Sequence, residues 1–514
     1  MSAPNSWVLV PIEDCLVAYP NGKKIRQGWS PQCESYPAQT LDHWGVLKTT
    51  AIQEGSFIEH ENKHLPTFLE PKTHLEVEAG DILITCAGPR ARCGVTCLVR
   101  ATRPKLLISG KMYQLRADSK IIDRRLLESF LREPRTRQRI DELKTGMSDS
   151  GLNLTHDRFK TLEVPLPPLA EQKRIADKLE AVLGRVDACR TRLDRVPDLL
   201  KRFRQSVLAA ATSGQLTEDW REESPPSETG EILLNKVLKQ RAECWSKKGR
   251  NGVCPEALLS TAELPNSPDG WAWIPLGHLG LNPFATVQTG PFGALLHTEE
   301  FTPHGVPVVA VGNLTGMGFT SDGIYFVSEE KAKQLSRFDV QAGDVLFARS
   351  GATLGKVCVA PSHANDWRMT GHILRARLNQ KFLLPDLCVY ALRADPFVTK
   401  QVFGSVIGST RPGYNTSLLE SIALPVPPLA EQAEIVRRVE ALLAMADRIE
   451  ARLSAARAQV ERLTPATLAK AFRGDLVPQD SNDEPAAKLL ERLNKDCSTA
   501  AQPRTKARKA KTTA

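Results

Sequence analysis

The sequence predicts an α+β protein: two α/β globular domains separated by two long helices that pair antiparallel as a coiled coil, arranged as an internal pseudo-twofold repeat. Three observations predict it. The stretch Pro165-Leu166-Pro167-Pro168-Leu169-Ala170-Glu171-Gln172 returns as Pro425-Val426-Pro427-Pro428-Leu429-Ala430-Glu431-Gln432, 260 positions later. After each copy, apolar residues recur at alternating steps of three and four, the seam of a coiled coil. The regions before the copies echo one another more faintly. Gly80-Asp81-Ile82-Leu83-Ile84 matches Gly343-Asp344-Val345-Leu346-Phe347, and Gly146-Met147-Ser148-Asp149-Ser150-Gly151-Leu152-Asn153 matches Gly408-Ser409-Thr410-Arg411-Pro412-Gly413-Tyr414-Asn415.

Residues 1–164 read as the first domain. Strand-like runs at Ile82–Thr85, Val95–Val99 and Lys105–Ile108 are punctuated by Gly80, Gly88, Gly94 and Gly110, and a helical stretch is expected over Ile122–Leu143. Residues 165–220 carry the first long helix, whose seam runs Ile175, Leu179, Val182, Val186, Cys189, Leu193, Val196, Leu200, Phe203 and Val207. Pro167 and Pro168 stand where a helix start tolerates a missing N–H, and Glu171 falls in the first turn, where the helix dipole favours a carboxylate. Gly214 is the expected stop. Pro197, inside the run, is expected to kink or interrupt it. A polar connector, 221–270, includes a short helix near Ile232–Trp245. The second domain occupies 271–424. The second long helix, 425–476, repeats the seam with Ile435, Val439, Leu442, Ala446, Ile449, Leu453, Ala456, Val460 and Leu463, its proline falling later, at Pro465. Residues 477–514 form a C-terminal segment with a helical stretch at Ala487–Leu493 and a basic tail, Arg504, Lys506, Arg508, Lys509 and Lys511, expected to be disordered.

At 514 residues the chain exceeds what one hydrophobic core supports. Its 41% apolar and 25% charged residues are ordinary globular values. A net charge of +9 favours polyanionic partners without specifying one. Met1–Val10 has no basic segment followed by an apolar core, and no run of about 18 apolar residues is present, so no membrane partner and a cytoplasmic location are expected. Eleven scattered cysteines fit reduced, buried thiols, and the spacing of Cys86, Cys93 and Cys97 matches no common zinc pattern.

A search for chemistry finds none in this chain. Gly351-Ala352-Thr353-Leu354-Gly355-Lys356-Val357 has three residues between its glycines where a phosphate loop needs four, and Val357 replaces the metal-binding hydroxyl. Asn282-Pro283-Phe284 lacks the second proline of an amino-methyltransferase tetrad. The sequence therefore offers no catalytic, cofactor-binding or metal-binding residue.

The doubled Pro-x-Pro-Pro-Leu-Ala-Glu-Gln signature, in the order domain, helix, domain, helix, resembles the specificity subunit of type I restriction-modification enzymes. The resemblance covers the chain from the first domain to Gly474. It implies a non-catalytic reader of double-stranded DNA with two target-recognition domains, each reading one part of a split asymmetric site whose spacing the helices set. It further implies two adenine-N6 methyltransferase subunits that use S-adenosylmethionine, and motor/nuclease subunits that use ATP and Mg. Base reading needs donors and acceptors on loops. The loops of the first domain offer Arg90, Arg92, Lys111, Ser148, Asp149 and Asn153; those of the second offer Gln288, Thr289, Arg349, Lys356, Arg411, Tyr414 and Asn415. Glu171, Gln172, Glu431 and Gln432, present in both copies, are expected to dock the partner subunits. Two other readings stay open: a self-contained methyltransferase or nuclease, and a coiled-coil scaffold that does not touch DNA.

Overall fold

The computed structural model describes residues 4–146, 148–224, 228–247, 264–291, 293–316, 318–349, 354–404, 413 and 415–500. The chain divides into two compact units, with boundaries between residues 194 and 195 and again between 453 and 454.

The first unit is built on a four-stranded antiparallel sheet in the order Ile25–Gln27, Met112–Leu115, Ile82–Thr85, Thr96–Leu98. Ile82–Thr85 and Met112–Leu115 are buried on both faces, which is why Ile82-Leu83-Ile84 reads as a continuous apolar run and not as an alternating one. A second sheet, Leu106–Leu107, Gly45–Leu47, Asn62–His64, contains a parallel pair between its first two strands. A short ribbon, Val8–Pro11 against Glu163–Leu166, closes the domain where the long helix begins.

The second unit repeats this plan. Its central sheet runs Val287–Thr289, Ile373–Ala376, Val345–Ala348, Val357–Val359, and its second sheet again holds a parallel pair, Val306–Val309 with Trp367–Met369. The closing ribbon is Ala272–Pro275 against Ala423–Val426. The echo Gly80-Asp81 and Gly343-Asp344 has a structural cause. Both glycines have positive φ, +102° and +82°, a conformation that side chains disfavour. The carboxylate that follows accepts the N–H of the residue three before it, at 2.8 Å in each unit, and holds Arg116 or Arg377 by a charge-assisted bond.

The helical stretch expected over Ile122–Leu143 is two helices, Arg124–Arg132 and Pro134–Leu143. Pro134 excludes the helical conformation from Glu133, which is extended at ψ 136° and caps the second helix. The first long helix spans Leu169–Thr212 and the second Leu429–Ala471. Each is followed by a glycine with positive φ, Gly214 and Gly474. Pro197 does not interrupt the first. The carbonyl left without a donor, that of Leu193, accepts instead from Arg457.

Within each unit the helix segments run antiparallel. In the first, Ile175 and Leu179 pack with Leu468 and Ala471, while Arg190 pairs with Glu461 and Arg457 with Asp194. In the second, Val207 and Ala211 share a core with Ile435 and Val439, and Arg204 bridges Asp447 and Glu450. The connector and C-terminal segment are parts of the domains. The helix Gly230–Lys247 buries Leu233 and Val237 in the second core, and Ala486, opening the helix Ala486–Ala500, lies in the first core. The basic tail lies outside the described residues. Among the described cysteines, six are buried free thiols: Cys15, Cys86, Cys93, Cys97, Cys358 and Cys388.

Candidate nucleic-acid interface

At one end of the first central sheet, a small ribbon gathers residues that are distant in sequence. Leu152 and Asn153 pair with Gly88 and Ala87, and Thr145 pairs with Asn153. The backbone of Cys86 fixes the neighbouring turn, its N–H donating to Lys111 O at 2.8 Å and its carbonyl accepting from Leu154 at 2.8 Å. Arg90, Lys111, Ser148, Asp149 and Asn153 are thereby brought together with exposed side chains. Arg90 is not an unpaired cation, since its Nε donates to Asp149 Oδ1 at 3.0 Å and its N–H to Asp149 O at 2.8 Å. Behind this face, buried Lys144 donates to Arg90 O and pairs with Asp141, fixing the loop from inside.

Arg92 does not belong to that face. Its guanidinium turns inward to Gln53 Oε1 and to the carbonyls of Thr49 and Ile52, bracing the loop before the strand Ile52–Gln53. A forked donor with three internal acceptors is a structural tie, so Arg92, contrary to expectation, does not present its guanidinium to bases.

In the second unit the corresponding turn is present. Arg349 N–H donates to His372 O at 2.9 Å, as Cys86 does to Lys111. His372, exposed in the place of Lys111, was not among the expected residues. The match of Gly110-Lys111-Met112 with Gly371-His372-Ile373 carries the signal for it. Thr289 and Arg349 flank the same strand end and are half-buried, and Lys356 lines a groove of about 730 Å³ with Lys201 and Arg204. Gln288 is occupied internally, its Nε2 donating to Arg337 O and its Oε1 accepting from Arg375, each at 2.7 Å. Gln288 thus braces the sheet, as Arg92 braces its loop, and does not present its amide to bases as expected. Asn415 caps the helix Thr416–Ser421, accepting Leu418 N–H at 2.7 Å. Arg411 and Tyr414 lie outside the described residues.

The residues expected to dock partners have no surface to offer. Glu171, Gln172, Glu431 and Gln432 are all 1% exposed or less. Trp7 Nε1 donates to Glu171 Oε2 at 3.0 Å and Trp271 Nε1 to Glu431 Oε2 at 2.9 Å. Gln479 completes the first carboxylate, Thr217 and Arg221 the second. Burial pushes the Glu171 carboxyl above its usual range, so desolvation outweighs the first-turn advantage expected for it. Gln172 bridges Asp123 N–H and the carbonyls of Ile121 and Pro167; Gln432 does the same to Leu384 N–H, Phe382 O and Pro427 O. The signature is thus the clasp between each domain and its helix. The sequence signal for its other half is Trp-x-x-x-Pro, Trp7 to Pro11 and Trp271 to Pro275.

Among the described residues, no three His, Cys, Asp or Glu side chains group as metal ligands, and no helix is long and apolar enough to cross a membrane. What the two loop faces offer is exposed hydrogen-bonding and cationic groups, a constellation suited to binding.

A family model described as the type I restriction modification DNA specificity domain matches residues 49–197 and 292–456. The chain is 27% identical over 505 residues to the specificity subunit of the type I restriction enzyme EcoKI of Escherichia coli (strain K12), covering 95% of each. It is 30% identical over 355 residues to the EcoBI specificity subunit of Escherichia coli, covering 67% of each. The fold resembles the crystal structure of the HsdS subunit from Thermoanaerobacter tengcongensis, with a TM-score of 0.53 at 18% identity, over 92% of this chain and 98% of that one.

Proposed function

The chain belongs to the family of type I restriction-modification DNA specificity domains, and from that premise we propose that it is the DNA-recognition subunit of a type I restriction-modification complex. Each domain reads one half of a bipartite asymmetric site, and the helix pair sets the spacing between the halves. The chain itself performs no chemistry. It directs two adenine-N6 methyltransferase subunits that use S-adenosylmethionine, and motor/nuclease subunits that use ATP and Mg, in the cytoplasm. The observation that carries this reading is the duplication: two domains whose central sheets have the same strand order, each clasped to its own long helix by the same Trp–Glu bond. Two half-readers on one frame suit a duplex, whose half-sites repeat about every 34–36 Å of helical turn.

DNA lies, in this reading, against the loop faces. Arg90, Lys111, Ser148, Asp149 and Asn153 serve the first half-site. Thr289, Arg349, His372, Lys356 and Asn415 serve the second.

Long-read methylation sequencing of a host carrying this chain and its methyltransferase partner is the direct test. Adenine methylation at a split motif is expected; methylation only at continuous motifs would remove the two-reader mechanism. Binding of the purified complex to duplex DNA is expected to weaken steeply with salt. Lys111→Ala should reduce the salt slope by about one and weaken binding to all sequences if Lys111 grips phosphate. Affinity independent of salt would favour a scaffold instead.

A further inference from the structure

Pro197 stands inside the first long helix, and the helix nevertheless runs unbroken from Leu169 to Thr212. Proline has no N–H to give, so the carbonyl four residues earlier, that of Leu193, loses its helical donor. Such a gap in the ladder is where long helices kink. Here the donor comes from the second long helix. Arg457 Nη2 lies 3.3 Å from Leu193 O and 2.9 Å from Asp194 Oδ1, so one guanidinium edge serves a backbone carbonyl and the neighbouring carboxylate together. Arg190 and Arg204, which also reach across to the second helix, reach only carboxylates there.

The identity of the residue supplying the donor is informative. Arg457 stands 260 positions after Pro197, the same offset that separates the two copies of the signature. The copies therefore differ at this position in complementary ways, one removing a hydrogen bond and the other replacing it. Asp194 orients the arginine, whose single Nη2 serves both acceptors.

We infer that Arg457 is a positioning residue for half-site spacing: by supplying the bond that Pro197 removes, it makes the proline step a fixed joint where it would otherwise be a hinge. The inference rests on the DNA-specificity reading, because a hinge in the helix pair matters for spacing only if the pair is the ruler. Arg457 would act on the distance between half-sites and not on their sequences.

The test compares the full chain, with its methyltransferase partner, as wild type, Arg457→Ala, Pro197→Ala and the double variant. Wild type is expected to methylate one spacer length. Arg457→Ala should methylate the same half-site sequences at two or more spacer lengths. Pro197→Ala restores the missing N–H and should keep a single spacing, with or without Arg457. A single spacing in Arg457→Ala overturns the inference, as does a double variant as relaxed as Arg457→Ala alone. Thermal unfolding of the same purified chains gives an independent readout, since coupled sites depart from additivity. The drop in Tm caused by Arg457→Ala should be at least halved in the Pro197→Ala background, and an undiminished drop counts against the bond. If wild type methylates no split site, the specificity reading fails, and the spacing role fails with it, while the Tm comparison still decides whether Arg457 replaces the lost bond.

Discussion

Buried polar side chains do more here than hold the cores together. The Trp7–Glu171 and Trp271–Glu431 bonds tie each closing ribbon to the first turn of a long helix. His278, in the short helical turn after the second ribbon, is a buried polar group of the opposite kind. Its Nδ1 has no hydrogen-bond partner, and burial, then the charge of Arg241, push its pKa down from 6.5 to about 4. A depressed folded pKa means that the stability it contributes is fully present above pH 6.5 and is lost as pH falls through about 4. Thermal unfolding followed from pH 7 to 4 should therefore show an acid-induced loss that His278→Gln flattens, by at most about 3 kcal/mol. An identical slope in the variant would mean that another group titrates. Neither the Trp–Glu bonds nor the buried histidine was legible as such, because each depends on neighbours that folding brings from far away in sequence. Glu171 and Trp7 are 164 positions apart. The glutamates were visible only as repeated letters, and repetition alone did not distinguish a surface used twice from a buried joint used twice.

At the scale of elements, what could be read was what is periodic or punctuated. The heptad seams marked both long helices almost to their ends, and Gly214 stops the first as expected, because helix spacing and glycine stops are local properties. The reading failed where two local rules competed. Over Ile122–Leu143 the apolar spacing continued across Pro134, but the restriction on the residue before proline divided the helix. At Pro197 the local rule predicted a break, and a side chain from the other long helix overrode it. The seam supports a mechanical prediction. A seven-residue insertion that preserves the heptad within 175–207, matched in the second long helix, lengthens the pair by about 10 Å. The methylated motif should then gain about three base pairs of spacer with both half-sites unchanged; a changed half-site sequence would mean that the helices are not the ruler.

At the scale of the whole molecule, the order of the chain and the order of the folded units differ. The sequence divides naturally into domain, helix, connector, domain, helix and tail. In the fold, the connector helix belongs to the second core, and the segment after Gly474 belongs to the first. Arg174 pairs with Asp483, Gln479 reaches Glu171, and Ala486 is fully buried. Removing residues 475–514 should therefore lower the Tm of the first unit and leave the second unchanged. Calorimetry on the truncated chain would then resolve two transitions, and a uniform shift of both would contradict that assignment. The same arrangement governs how the protein is made. The ribosome completes the second unit, 195–453, as one continuous stretch, but the first, begun earlier, lacks its last wall until about residue 490 has emerged. The N-terminal domain is thus the last to close, holding an open apolar face through most of synthesis, when nascent chains depend on chaperones.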